Sequence, residues 1–218
     1  MGCKYEICRM RILVIAATEF EIAPFIADNK DVEVLITGVG VPSTMYHLQK
    51  KLSEKTWDLV IQAGIAGSFN YDLGLGEVVL VKQDTFADIG MEEKENFITI
   101  FQAGFAEKDS YPFSDGWLIN PSPLFSRSLL PVVKGITVNK VSDSIVQKLQ
   151  SINNFAPEIE SMEGAALHYV CLQERVPFIQ IRSISNCIGE RDKTKWKLKE
   201  AIENLNVALK KLILIAQQ

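Results

Sequence analysis

Four side chains able to handle protons, anions and hydrogen bonds fall where one crevice can collect them. Between Ser161 and Trp196 the chain reads Ser161-Met162-Glu163-Gly164-Ala165-Ala166, an apolar run, Arg182-Ser183-Ile184-Ser185-Asn186, and Gly189-Glu190-Arg191-Asp192. Much earlier, Thr18-Glu19-Phe20-Glu21 follows the first apolar run. Glu163 is a carboxylate entering a helix, Arg182 and Asn186 are a guanidinium and an amide near the end of a strand, and Glu21 is a second carboxylate at a strand end. Each also has a structural reading. Glu163 complements a helix dipole, Arg182 suits a buried ion pair, and Asn186 suits a strand end. Thr18 with Glu21 three residues on fits a capping box.

The elements that position these groups read as alternating strands and helices. A helix from Gly164 to about Arg175, a turn at Pro177 and a strand from Phe178 to Ser185 make one unit, whose far end delivers Arg182 and Asn186. Ligands in open α/β sheets bind outside the carboxyl ends of strands, which is where these residues fall. Strand one, Arg11 to Ala16, is a continuous apolar run of the kind buried on both faces. Strand two, Val32 to Thr37, leads through Gly38-Val39-Gly40-Val41-Pro42-Ser43 into a helix to about Lys55. That run imitates a dinucleotide fingerprint, but Ser43 replaces the third glycine and Pro42 intrudes, so tight-turn glycines explain it and no cofactor is expected. Strand three, Leu59 to Ala63, runs into the glycine loop Gly64-Ile65-Ala66-Gly67-Ser68, where a bare backbone can approach a ligand. Strand four is Val78 to Lys82.

From Gln83 to Pro131 the pattern loosens, with Phe86, an acidic patch from Glu92 to Glu95, a strand-like Phe97 to Phe101, and the aromatics Tyr111, Phe113 and Trp117, most of which suit packing under a long loop. Beyond lie a short strand Gly135 to Val138, an amphipathic helix Asp143 to about Ile152, and a final helix from Lys195 to Ile215 with Ala201, Ile202, Leu205, Leu209 and Leu212 on one face. Such alternation points to an α/β fold around a mixed, largely parallel sheet, with one domain over residues 10–218 and a disordered extension over 1–9.

Composition narrows the partners. The 218 residues are 47% hydrophobic and 23% charged, enough to bury a core. A net charge of −4 gives no basic field for nucleic acid or an anionic membrane. The apolar runs are too short to span a bilayer. Four cysteines without a C-x-x-C pair suit a reduced, cytoplasmic protein, and the two histidines, His47 and His168, lack second ligands at metal spacing. A small-molecule substrate and no metal are expected.

The Ser-Met-Glu-Gly-Ala-Ala helix start followed by Arg-Ser-Ile-Ser-Asn resembles the nucleoside phosphorylase and nucleosidase family over nearly the whole chain from Met10. The resemblance implies a three-layer α/β/α sandwich, a purine nucleoside substrate and a homodimer or larger homo-oligomer. It also assigns roles: Glu163 to the ribose hydroxyls, Met162 to the ribose face, Gly64, Ala66, Gly67 and Phe86 to the nucleoside pocket, Glu21 to activating water, Arg182 to positioning it, and Asn186 to the departing base. Phosphorylases of the family carry an arginine-bearing, glycine-rich loop near the first strand. This sequence has no arginine between Arg11 and Arg127, and Ile65 stands where relatives often place a serine, so the resemblance favours hydrolysis. The run from Ser183 to Trp196 is more similar to the futalosine hydrolase sub-group than to methylthioadenosine nucleosidases. For a carboxylate on the 5′ substituent, Arg127, Lys140 and Arg191 are equal candidates.

Overall fold

The computed structural model describes residues 10–94, 96–141, 143–190 and 192–218. The extension expected over 1–9 and Arg191 lie outside them. Strand β1 (Ile12–Ala16) is buried at every position, because alternate side chains meet different helix layers. Val14 and Ala16 pack with Ile22 and Phe25 of α1 (Glu19–Asp28) and with Leu205, Leu209 and Leu212 of α6 (Leu198–Ala216). Leu13 and Ile15 pack with Leu48 of α2 (Val41–Leu52) and with Leu167, Val170 and Cys171 of α5 (Gly164–Glu174). The period of two along a strand thus builds helix, sheet and helix in three layers.

The remaining strands are β2 (Glu33–Ile36), β3 (Leu59–Ser68), β4 (Val78–Asp84), β5 (Gly90–Glu93), β6 (Asn96–Thr99), β7 (Leu118–Ile119), β8 (Val132–Thr137), β9 (Ile159–Ser161) and β10 (Phe178–Cys187). Short helices α3 (Leu124–Arg127) and α4 (Ile145–Phe155) complete the chain. Eight strands form one sheet, ordered β10-β4-β8-β9-β3-β1-β2 with β7 on β4. Because β10 also pairs with β3, the strands β3, β9, β8, β4 and β10 form a closed circuit from which β1 and β2 extend. The β1–β2, β1–β3, β3–β10, β4–β8 and β8–β9 pairs are parallel. The β4–β10, β3–β9 and β4–β7 pairs are antiparallel, so the sheet is mixed and largely parallel.

Closure depends on β3, which is longer than its apolar stretch. Its first half lies beside β1, while Gly67 and Ser68 lie beside β9. The expected glycine loop from Gly64 to Ser68 is therefore the second half of a strand. Glycine there leaves room where side chains of neighbouring strands cross over β3. Strand β9 was not anticipated, β8 begins three residues before Gly135, and the 3₁₀ turn Lys193–Lys195 precedes α6. In α1, Pro24 is accommodated by a non-helical Ile22 (φ −125°). The loose middle region forms the β5–β6 hairpin and an aromatic row, Phe101–Phe113–Tyr169–Phe86, with centroid spacings of 5.3 to 6.1 Å.

Candidate active site

Glu21 sits one turn beyond the carboxyl end of β1, and its carboxylate serves two elements. Oε2 accepts from the backbone N–H of Thr18 (3.1 Å) and from Thr18 Oγ1 (3.0 Å), the local pattern of a capping box. Oε1 instead accepts from the N–H of Ile65 on β3, 3.1 Å away. The backbone of Glu21 is held from α6: Asn206 Nδ2 donates to its carbonyl (2.9 Å), and Asn206 Oδ1 accepts from Phe25 N–H (2.9 Å). A side-chain amide thus spans the i, i+4 hydrogen-bond position of α1 at its kink. Asn206 is buried, and in the sequence it is one of two asparagines, with Asn204, beside the apolar stripe of α6.

Glu163 occupies the N-cap of α5 and is buried with Arg182. Its Oε1 accepts from Gly40 N–H at 3.1 Å, and its Oε2 lies 3.6 Å from Arg182 Nη1. Gly40 (φ +89°) opens α2, so the glycine turn between β2 and α2 aims an N–H at the carboxylate of another helix. Burial pushes the Glu163 carboxyl above the usual range, opposed by Arg182 and Gly40 and reinforced by the charge of Glu21. Arg182 Nη2 donates to Gln62 Oε1 (2.9 Å) and Nη1 to the Ile65 carbonyl (3.4 Å). Gly64 lies beneath: a Cβ there would stand 2.3 Å from Arg182 Nη1 and 3.0 Å from Glu21 Oε1. Glu21 and Arg182, far apart in sequence, thus meet over that glycine, and Glu163 joins them through Arg182.

Asn186 follows a register shift in the β3–β10 ladder, the kind of bulge that re-aims a side chain. The Ser185 hydroxyl is shared between Asn186 Oδ1 (2.8 Å) and the Ala66 carbonyl (3.2 Å), and Asn186 Nδ2 donates to the Cys187 carbonyl (3.1 Å). One N–H of the amide is left for a ligand. Gly67 lies below, where a Cβ would stand 2.3 Å from Ile188 Cδ1 and 3.3 Å from Asn186 Nδ2. Met162 is half-buried between β9 and Glu163. Phe86 joins the aromatic row against Tyr169 and is not among the side chains that meet over Gly64. Arg127 donates to the Ile215 carbonyl (2.6 Å) and lines a separate cleft with Leu129 and Lys211. Lys140 and Lys148 line a cleft of about 450 Å³ with Ile188, Phe155 and Glu160.

Under the first turn of α5 the sheet is polar. Thr137 Oγ1 donates to Asp84 Oδ1 (2.9 Å) and accepts from Ala165 N–H (2.7 Å). Asp84 Oδ2, the Gln180 amide, His168 Nε2 and Arg182 Nε are buried without a hydrogen bond. Gly164 permits this floor, since a Cβ would lie 2.2 Å from Asp84 Oδ2 and 2.3 Å from Gln180 Nε2. Burial pushes the Asp84 carboxyl up to about 7 and the His168 imidazole down to about 4. Among the described residues no cluster of three or more His, Cys, Asp or Glu side chains is able to hold a metal, and no helix is long and apolar enough to cross a membrane.

With this geometry in place, the chain belongs to the phosphorylase superfamily, whose family model matches residues 13–218. It is 29% identical over 183 residues to the futalosine hydrolase of Thermus thermophilus, covering 82% of this chain and 80% of that one. It is 24% identical over 214 residues to the 5′-methylthioadenosine/S-adenosylhomocysteine nucleosidase of Marinomonas sp., covering 94% and 89%. Its fold is similar to the native structure of futalosine hydrolase of Helicobacter pylori, with a TM-score of 0.78 at 18% identity over 94% of this chain and 97% of that one. A Helicobacter pylori 5′-methylthioadenosine/S-adenosylhomocysteine nucleosidase structure matches with the same TM-score and identity. The fold therefore does not choose between the two activities; the site chemistry has to.

Proposed function

We propose that this protein is a nucleosidase that hydrolyses the N-glycosidic bond of futalosine, giving hypoxanthine and dehypoxanthine futalosine, as its sequence relatives of that name suggest. The observation that carries the hydrolytic reading is the gathering of two carboxylates around one guanidinium: Glu163 Oε2 lies 3.6 Å from Arg182 Nη1, and Glu21 Oε1 and Arg182 Nη1 both stand over Gly64. The formal excess of negative charge repels inorganic phosphate and suits a water nucleophile. Glycosidic cleavage passes through an oxocarbenium-like state. Glu163 accepts from the ribose hydroxyls beneath the developing cation, Glu21 takes the proton of the attacking water, and Arg182, paired with Glu163, positions that water. Asn186 donates its free N–H to the departing base. Met162, Gly64, Ala66 and Gly67 complete the pocket, with Phe86 supporting it through Tyr169.

A 6-oxopurine is the preferred base because Asn186 presents a donor, while Ser185 occupies its oxygen. The second reading, 5′-methylthioadenosine cleavage, is supported by the relatives of that activity. The working form is a cytoplasmic homo-oligomer; exposed Ile145, Val146 and Leu149 on α4 support self-association. Incubating the protein with futalosine and with 5′-methylthioadenosine and following free base tests the reading. Preferential release of hypoxanthine is expected, and release of adenine alone would transfer the assignment to the second activity.

A further inference from the structure

Glu160 has no part in the cluster over Gly64, yet it stands in one cross-strand row with the candidate base ligand. On β9 it pairs with Ile136 of β8 on one side and with Gly67 of β3 on the other. Gly67 in turn pairs with Asn186 of β10. Residues directly opposite one another in a ladder project to the same face. Ile159 and Ala66, the neighbours in sequence, belong together in the core of the other face, which fixes the side on which Glu160 and Gly67 lie. Glu160 and Asn186 therefore flank a glycine, their Cα atoms about two strand spacings or roughly 9.5 Å apart. Between them the floor is bare backbone bordered by Ile188, whose Cδ1 would touch any Cβ on Gly67. Ile188, Val138 and Glu160 line the same cleft. A flat apolar bed with a hydrogen-bonding side chain at each end fits a planar heterocycle read along one edge.

We infer that Glu160 is a specificity-determining residue that accepts the N1–H of a 6-oxopurine while Asn186 holds the N7 and O6 edge. This rests on the nucleosidase reading above and names the group that tells hypoxanthine from adenine. The two bases differ at that edge: a 6-oxopurine carries a hydrogen on N1, whereas N1 of adenine is an acceptor and repels a carboxylate. The Glu160 carboxylate has no hydrogen-bond or ion-pair partner among the described residues, and burial, with the charge of Asp88 second, pushes it up to about 7. Asp88, Glu92, Lys140 and Lys148 are the other charged groups lining its cleft. An N1–H donor stabilises the ionised form, so hypoxanthine affinity rises with pH as Glu160 ionises around 7.

Calorimetric binding of free hypoxanthine and free adenine to the wild type, Glu160→Gln and Glu160→Leu reads the base slot without needing turnover. Glu160→Leu is expected to weaken hypoxanthine about 5- to 150-fold, the worth of a buried N–H left unpaired, and to leave adenine unchanged or bind it more tightly. Glu160→Gln keeps the size and an acceptor oxygen but not the charge, and falls between. Equal losses for both bases, unchanged hypoxanthine affinity in either variant, or a wild type that binds neither base would overturn the inference. A wild type that binds hypoxanthine but cleaves no nucleoside overturns the nucleosidase reading instead, and the binding ratios still decide Glu160.

Discussion

Asn206 and Glu21 are joined by a bond that neither residue's own helix supplies: Asn206 Nδ2 donates to the Glu21 carbonyl at 2.9 Å while its Oδ1 takes the N–H of Phe25. The kink of α1, and with it the direction of the Glu21 carboxylate, is fixed from α6. Asn206→Leu leaves a buried N–H and a buried C=O unpaired, a loss of about 1–3 kcal/mol in stability for each unsatisfied group. Turnover should fall further than folding alone explains. Thermal unfolding together with kcat on folded protein checks this, and a lower melting temperature with unaltered kcat would confine Asn206 to stability.

Replacing Glu21 by Gln preserves size and an acceptor oxygen but removes the base. A fall in kcat of about 10²–10⁴-fold is expected, with binding of free base retained. Near-normal turnover in a protein that only melts earlier would reduce Glu21 to its capping role at Thr18.

Gly64→Ala tests the convergence itself. The new Cβ would lie 2.3 Å from Arg182 Nη1, so the guanidinium has to move away from Glu163 and Gln62. Activity is expected to drop by at least about tenfold, on the scale of misplaced catalytic groups. Full activity would show that Arg182 need not sit where it does.

Asp84 supplies a pH signature. Its folded-state value of about 7 lies above the ordinary carboxylate value of 3.8, so the folded protein holds a proton that the unfolded chain releases. Its stabilising contribution is complete below about 3.8 and is lost as pH rises through about 7. His168, lowered to about 4 from 6.5, acts oppositely, its contribution being lost as pH falls from 6.5 toward 4. Comparing Asp84→Asn with the wild type cancels His168 and every other group. The melting-temperature advantage of the variant should grow between pH 4 and 7 and then level off; a pH-independent difference would contradict a neutral buried Asp84.

Asn186→Asp exchanges a donor for an acceptor at the base. The ratio of kcat/KM for hypoxanthine-bearing over adenine-bearing nucleosides is expected to shift toward adenine by about 5- to 150-fold. An unchanged ratio would leave Asn186 with only its bonds to Ser185 and Cys187.

What was legible in the sequence was local. The apolar run at β1, the carboxylate before α5 and the arginine and amide on β10 each carry their meaning within a few residues. What was not legible depended on distant chain. Gly64 to Ser68 reads as a loop because glycine disfavours strands, until β9 and β10 are seen to pair with it. Gly40 reads as a turn residue, yet its N–H holds Glu163. Glu160 sits in a three-residue strand whose neighbours in sequence give no hint that Gly67 and Asn186 lie beside it. Phe86 is assigned to the pocket by resemblance, and its ring lies 6.1 Å from that of Tyr169.

The central claim is that the charge surplus of Glu21 and Glu163 around Arg182 makes water, not phosphate, the nucleophile. Its most direct test is the initial rate of hypoxanthine release from futalosine over rising concentrations of inorganic phosphate, with the sugar product examined by ³¹P NMR. The account predicts full turnover without phosphate, no acceleration on adding it, and no phosphate ester. A rate that vanishes without phosphate and a sugar 1-phosphate as product would contradict it.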